Sequence, residues 1–313
     1  MLKRVFLTFA ILLLTNLSAL GQVDKPLIYV CFDRGFKADD PNDALIMLDG
    51  MTLTELGRIP LEGGHPEDIA VRGDKKIAFV SVDSSFDDSK GFSIVDLVEK
   101  KRIRTMLNDK VVLGVEIGPK DILYVFTAPG QLTLFDTQTF QILQTVNLPS
   151  TPKSIVFSKD EKRVFASFSG GTEVVALDLV NNFSVIKTIP VPESFGGNNK
   201  QALSPDGTLL YVTGKDSVVV IDTNRLEVID SLPGPRNTRD LQISSDGKTL
   251  YASDFSGSLV AIDITSRSII KTFNVAGDTR ALTLSPDGQL LYANNIHNFF
   301  YIINTKTNTL IAA

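Results

Sequence analysis

The 313-residue chain has no tryptophan, one cysteine and two histidines. Each scarcity excludes something. A lone Cys31 rules out an intramolecular disulfide, and its place in the apolar segment 27–32 reads as a small buried hydrophobe. There is no Cys-x-x-Cys-His for a covalent haem, no Gly-x-Ser-x-Gly elbow for a nucleophilic serine and no glycine loop of the phosphate-cradling kind. Two loop histidines without a partner motif are no metal site, so neither cofactor nor metal is expected. The formal charge is −5 with no block of lysine or arginine, which argues against a nucleic-acid footprint.

After Leu14 no apolar run is long enough to span a bilayer. The start differs. Lys3 and Arg4 precede an apolar run, Val5 to Leu14, broken only by Thr8, and Ser18-Ala19-Leu20-Gly21 supplies small residues where a signal peptidase reads. Residues 1–21 are therefore expected to be a cleaved leader and 22–313 the folded domain. No cysteine stands at the cleavage point for a lipid anchor, so the expected location is periplasmic or secreted, as a monomer with no membrane span.

What the chain does have is a phrase of about forty residues repeated to its end. The clearest copies begin at Ser204, Ser245 and Ser285. Two independent landmarks count it. An aromatic among small or branched apolar residues stands at Tyr29, Phe79, Tyr124, Phe165, Tyr211, Tyr251 and Tyr292. An acidic or amide residue closes a following apolar strand at Asp49, Asp96, Asp136, Asp178, Asp222, Asp263 and Asn304. Both series have seven members, spaced 40 to 50 residues apart, the length of a four-stranded propeller blade. The predicted fold is all-β, a seven-bladed β-propeller of four-stranded antiparallel blades.

Each blade reads as inner strand, tight turn, aromatic strand, third strand and outer strand. In Ser-Pro-Asp-Gly the proline suits the second turn position, the aspartate bonds its own backbone and the glycine takes a positive φ. Weaker versions stand at 244–247, 158–161 and 72–75. The aspartates of the second series recur in every blade at a turn, so capping explains them better than catalysis. No inner strand is legible before Leu27, so a three-stranded first blade is expected, patched by residues 22–26.

At Leu209-Leu210-Tyr211-Val212-Thr213, Val219-Val220-Ile221-Asp222-Thr223 and the Ser-Pro-Asp-Gly turns the chain resembles the YVTN β-propeller repeat family, over residues 27–313 and most closely in the last three blades. The fold is shared with lactonase-like propellers. The resemblance implies a substrate or partner on the loop-rich top face and names no reaction.

Aligning the repeats on their turns puts Glu67, Lys153, Asn199, Arg239 and Arg280 at one position on the inner strands, with Gly114 there in blade three. Such residues are expected to converge at the channel mouth, where Arg239 and Arg280 from adjacent blades would clamp a carboxylate or phosphate. Lys153, Asn199 and His297 complete the candidate ligand-binding set. His65 and Glu67 are the candidate bases. Long acidic loops in blades one and two each carry a phenylalanine, Phe36 and Phe86, as candidate partner anchors. Two readings stay open: a binding module for a small anionic ligand or a protein or polymer partner, and a lactonase-type hydrolase acting on an anionic sugar lactone.

Overall fold

The computed structural model describes residues 11–14, 27–32, 44–61, 65–83, 90–168, 171–191, 200–295 and 299–312. Seven four-stranded antiparallel sheets follow one another along the chain, the seven-bladed β-propeller that the repeat predicts. In blades two to seven the strand order is the chain order, from inner to outer. Two compact units carry them: Met1–Thr145 with Ile296–Phe300 holds blades one to three, save the last two residues of blade three, and Val146–Asn295 with Tyr301–Ala313 holds blades four to seven, save Phe300. Among the described residues no helix is long and apolar enough to cross a membrane.

The cores lie between neighbouring sheets within each unit. Tyr29, Cys31, Leu45 and Met47 of blade one pack with Ile69, Ala78, Val80 and Val95 of blade two. Tyr211, Val218 and Val220 of blade five pack with Leu241, Leu250, Ala252 and Val260 of blade six. All seven landmark aromatics are buried, and each is worth roughly 1.5–3 kcal/mol of hydrophobic stabilisation. That is why the aromatic recurs: it fills the gap between two flat sheets.

The second landmark series caps turns in every blade. Oδ1 of Asp49, Asp96, Asp136, Asp178, Asp222 and Asn304 accepts the backbone N–H groups two and three residues on, and Asp263 accepts that of Ser266. In the serine turns a second carboxylate is held. Ser158, Ser204, Ser244 and Ser285 each donate to the aspartate two residues later at 2.5–2.6 Å and accept the N–H five residues on.

Two regular bulges break the strand alternation. On the outer strands the extra residue is Leu56, Ile103, Ile186, Ile229, Ile270 or Ile311, each exposed. These bulges twist free edges away from further pairing. On the inner strands the extra residue is Leu113, Lys153, Arg239 or Arg280, and in blade two the pair Glu67 and Asp68.

Blade one differs from expectation. Its fourth strand is Ile11–Leu14, from the apolar start of the chain, paired antiparallel with Leu27–Phe32 from Ile11 opposite Val30 to Leu14 opposite Leu27. The physical reason is an unpaired strand edge and an apolar run of the right length to cover it. The expected patch, residues 22–26, lies outside the described residues.

Candidate functional site

The inner-strand bulge is what makes a site. A residue inside a ladder points to one face or the other, whereas the extra residue of a bulge is left unpaired and re-aimed. In blade six, Thr238–Ile243 starts with Thr238 Oγ1 donating to the Pro235 carbonyl at 2.9 Å. Arg239 follows as the bulge residue. In blade seven, Arg280 is the bulge residue of Thr279–Leu284. In blade three the bulge residue is Leu113, not the Gly114 that turn alignment indicates, because the turn after this strand is one residue shorter.

Arg239 and Arg280 converge on one carboxylate. Nε of Arg239 is 3.3 Å from Oδ1 of Asp278, and Nε of Arg280 is 2.9 Å from Oδ2. All three side chains are largely buried, 11–19% exposed. Proximity here is not hydrogen bonding: neither Oδ1 of Asp278 nor Nε of Arg280 has a hydrogen-bond partner. Counting these three side chains alone, one positive charge is in excess.

Phe255 orients the pair from blade six. The Arg239 guanidinium carbon stands 4.2 Å from its ring centroid, a cation–π contact. The turn bearing Phe255 is built by Asp254, whose Oδ1 accepts the N–H groups of Ser256 and Ser258 at 2.8 Å. Gly257 sits there at φ 96, where a Cβ would meet the Val275 carbonyl at 2.4 Å.

Next to Arg239 in the strand is Asp240, only 9% exposed. Its carboxylate accepts Leu241 N–H and, from the next blade, Leu282 N–H, both at 2.8 Å. Burial pushes its carboxyl up, against the opposing charges of Lys200 and Arg239 and these two N–H groups. Asp68 makes the same stitch in the first unit, accepting Ile69 N–H at 3.1 Å and Val115 N–H at 3.2 Å.

Of the residues singled out from sequence, Arg239 and Arg280 are brought together. Lys153 holds the same bulge position in blade four, half-buried, and does not join their group. His65 opens a strand opposite Asp83, and Glu67 lies in the bulge of blade two, but their side chains are outside the described ones. Asn199, His297, Phe36 and Phe86 lie outside the described residues. Sequence reasoning passed over Asp278, Phe255 and Asp240. One signal was there: Asn237-Thr238-Arg239 is echoed by Asp278-Thr279-Arg280, with a carboxylate replacing the amide.

No family model matches the chain. Curated relatives do: the uncharacterized protein YncE of Salmonella typhimurium is 31% identical over 165 residues, half of this chain, and that of Salmonella typhi matches equally. With seven propeller blades in place, these matches support a YncE-like β-propeller repeat family. The match covers 45% of YncE, so this YncE-like chain spans less than half the length of those relatives. The dihydro-heme d1 dehydrogenase of Pseudomonas aeruginosa is 26% identical over 140 residues, 27% of that protein. Among solved structures, hydrazine synthase of Kuenenia stuttgartiensis superposes with a TM-score of 0.76, covering 89% of this chain and 92% of that one, at 19% identity. That likeness is one of fold.

Proposed function

We propose that this YncE-like protein is an exported ligand-binding propeller, taking a small anion at the Arg239–Asp278–Arg280 group of blades six and seven. The observation that carries the reading is the convergence of two bulge arginines on a single shared carboxylate. Among these three side chains one positive charge is left over, and one guanidinium is braced on Phe255. Guanidinium forks favour oxyanions, and a half-desolvated site strengthens that preference. Export rests on the basic, apolar and small-residue sequence of residues 1–21. The hydrolase reading draws its base from His65 or Glu67, whose side chains lie outside the described ones, so no observation favours it.

The test is a thermal-shift and calorimetric screen of the full chain against carboxylates, sugar acids, phosphosugars and lactones. An Arg239→Ala/Arg280→Ala double variant is run beside it. Binding of an anionic compound that the double variant loses supports the reading. Anion binding that the double variant keeps, or none at all, refutes it. Intact mass of the exported protein tests the leader: a product beginning at Gln22 is expected.

A further inference from the structure

We propose that blade one captures a strand from another protein: once the leader is removed, the edge of Leu27–Phe32 takes an extended apolar segment in the place of Ile11–Leu14. This rests on the reading of residues 1–21 as a cleaved leader. The chemistry of the occupant is read from the segment seated there. Ile-Leu-Leu-Leu pairs antiparallel and without interruption, from Ile11 opposite Val30 to Leu14 opposite Leu27, and has no charged or polar side chain. It also runs alongside His65–Val71, the inner strand of blade two.

This edge is unlike the others. The inner strands of blades two, three, four, six and seven are broken by a bulge, whereas the pairing of Ile11–Leu14 has none. Bulges turn an edge away from further pairing, and charge or proline blunts it. Leu-Ile-Tyr-Val-Cys-Phe carries neither charge nor proline. Ile28, Tyr29, Val30 and Cys31 are at most 3% exposed, so both faces of the strand are covered. Cleavage therefore uncovers a row of backbone N–H and C=O groups in apolar surroundings, where lack of a partner is costly. Access comes with the vacancy, since losing Ile11–Leu14 frees the space of one strand beside Leu27–Phe32.

The residues next in the chain are too few to close the gap. A hairpin turn takes at least about two residues. A strand folded back from residues 22–26 would set Asp24 opposite Leu27 and end with Gln22 opposite Tyr29, leaving Val30, Cys31 and Phe32 uncovered. Strand addition draws affinity from main-chain hydrogen bonds and specificity from alternate side chains. The fitting partner is thus an uncharged stretch rich in leucine or isoleucine, matching the four residues seated here.

The test titrates a fluorescent peptide of residues 9–16, with lysines added outside it for solubility, into the protein beginning at Gln22 and into the full chain. The peptide is expected to bind the Gln22 protein and to slow amide exchange at Leu27–Phe32. The full chain, whose own strand fills the edge, is expected to bind about ten-fold or more weaker. A Leu12→Pro/Leu13→Pro peptide lacks two N–H donors and is expected to lose about ten-fold or more in affinity. Should the Gln22 protein not fold alone, the full chain carrying Leu12→Pro/Leu13→Pro is the acceptor, and is expected to gain binding that the parent lacks. Equal binding of the two peptides, equal binding by the parent full chain, or no binding by either acceptor overturns the proposal. Dimerisation of the Gln22 protein with Leu27–Phe32 already protected overturns it in favour of a second copy as occupant. Intact mass showing residues 1–21 retained overturns the leader reading and with it the proposal. Peptide binding by the full-length variant distinguishes that failure from an edge that captures no strand.

Discussion

Nε of Arg280 lies 2.9 Å from Oδ2 of Asp278 with no hydrogen bond between them, because the N–H is not directed at the oxygen. Asp278 therefore serves as counter-charge more than as anchor. Replacing it by alanine removes the carboxylate nearest both Arg239 and Arg280 in a site that water only partly reaches. Fully buried pairs lose about 3–5 kcal/mol when broken, and partial exposure should reduce this to roughly 1–3 kcal/mol. Asp278→Ala is expected to melt lower than the parent and to recover more than the parent does when sulfate replaces chloride. Equal sulfate responses would count against the charge account.

Gly114 is enclosed in a way that Gly57 is not. A Cβ on Gly114 would stand 2.8 Å from Phe126 Cδ2 and 3.1 Å from Asp68 Oδ2, the carboxylate that stitches blade two to Val115. A Cβ on Gly57 meets Met47 Cε at 2.5 Å and Lys100 Nζ at 3.6 Å, both ends of flexible side chains. Gly114→Ala is expected to cost about 1–3 kcal/mol by overpacking, and Gly57→Ala less than about 1. Urea midpoints of the two variants compare them directly.

Position four of the serine turn is left-handed whichever residue stands there. Gly207 has φ 79, and Glu161, at the same place in blade four, has φ 56. The left-handed region costs a non-glycine residue about 1–2 kcal/mol, and glycine returns part of that as unfolded-state entropy. Glu161→Gly is expected to stabilise by up to about 1 kcal/mol, whereas Gly207→Ala destabilises by about 1 or more. A chemical denaturation series in which both variants move the same way would contradict this.

The serine turns also set an acid limit. Hydrogen bonds from Ser158, Ser204, Ser244 and Ser285 hold Asp160, Asp206, Asp246 and Asp287 below the usual carboxylate value, Asp206 from 3.8 to about 2. A depressed folded-state pKa contributes stability that is present above the unfolded value and is lost as pH falls through the folded one. Stability should decline from about pH 4 toward pH 2. Asp206→Asn is expected to be less stable at neutral pH and to show a shallower decline, read from urea midpoints at each pH.

Strand Ile11–Leu14 gives the amino terminus a measurable role. A protein beginning at Gln22 lacks this strand and leaves the edge of Leu27–Phe32 unpaired. Compared with the full chain, it is expected to melt at lower temperature and to exchange the amides of that edge faster. Unchanged exchange at Leu27–Phe32 would show that the strand adds nothing to blade one.

Blade count, strand order, the core aromatics and the capping aspartates were legible in the sequence because each depends on local chemistry that recurs every forty-odd residues. A turn needs its Asp-Gly, and a sheet face needs its alternating apolar residues, wherever they occur. Arg239 and Arg280 were legible as a pair for the same reason, since they occupy one position of the repeat. What the repeat did not contain was decided by tertiary structure. The bulges that re-aim Arg239 and Arg280 arise from pairing with the next strand, and they carry no residue signature of their own: Leu113 and Lys153 bulge just as well. Asp278 and Phe255 reach the site from two different segments, neither at a position where other blades signal a function. The cover for blade one came from a segment whose apolar character reads equally as a leader. Local patterns determine which strands form, because their energetics are summed over neighbours in the chain. Which side chains meet is determined by register and blade packing, where partners lie tens of residues apart.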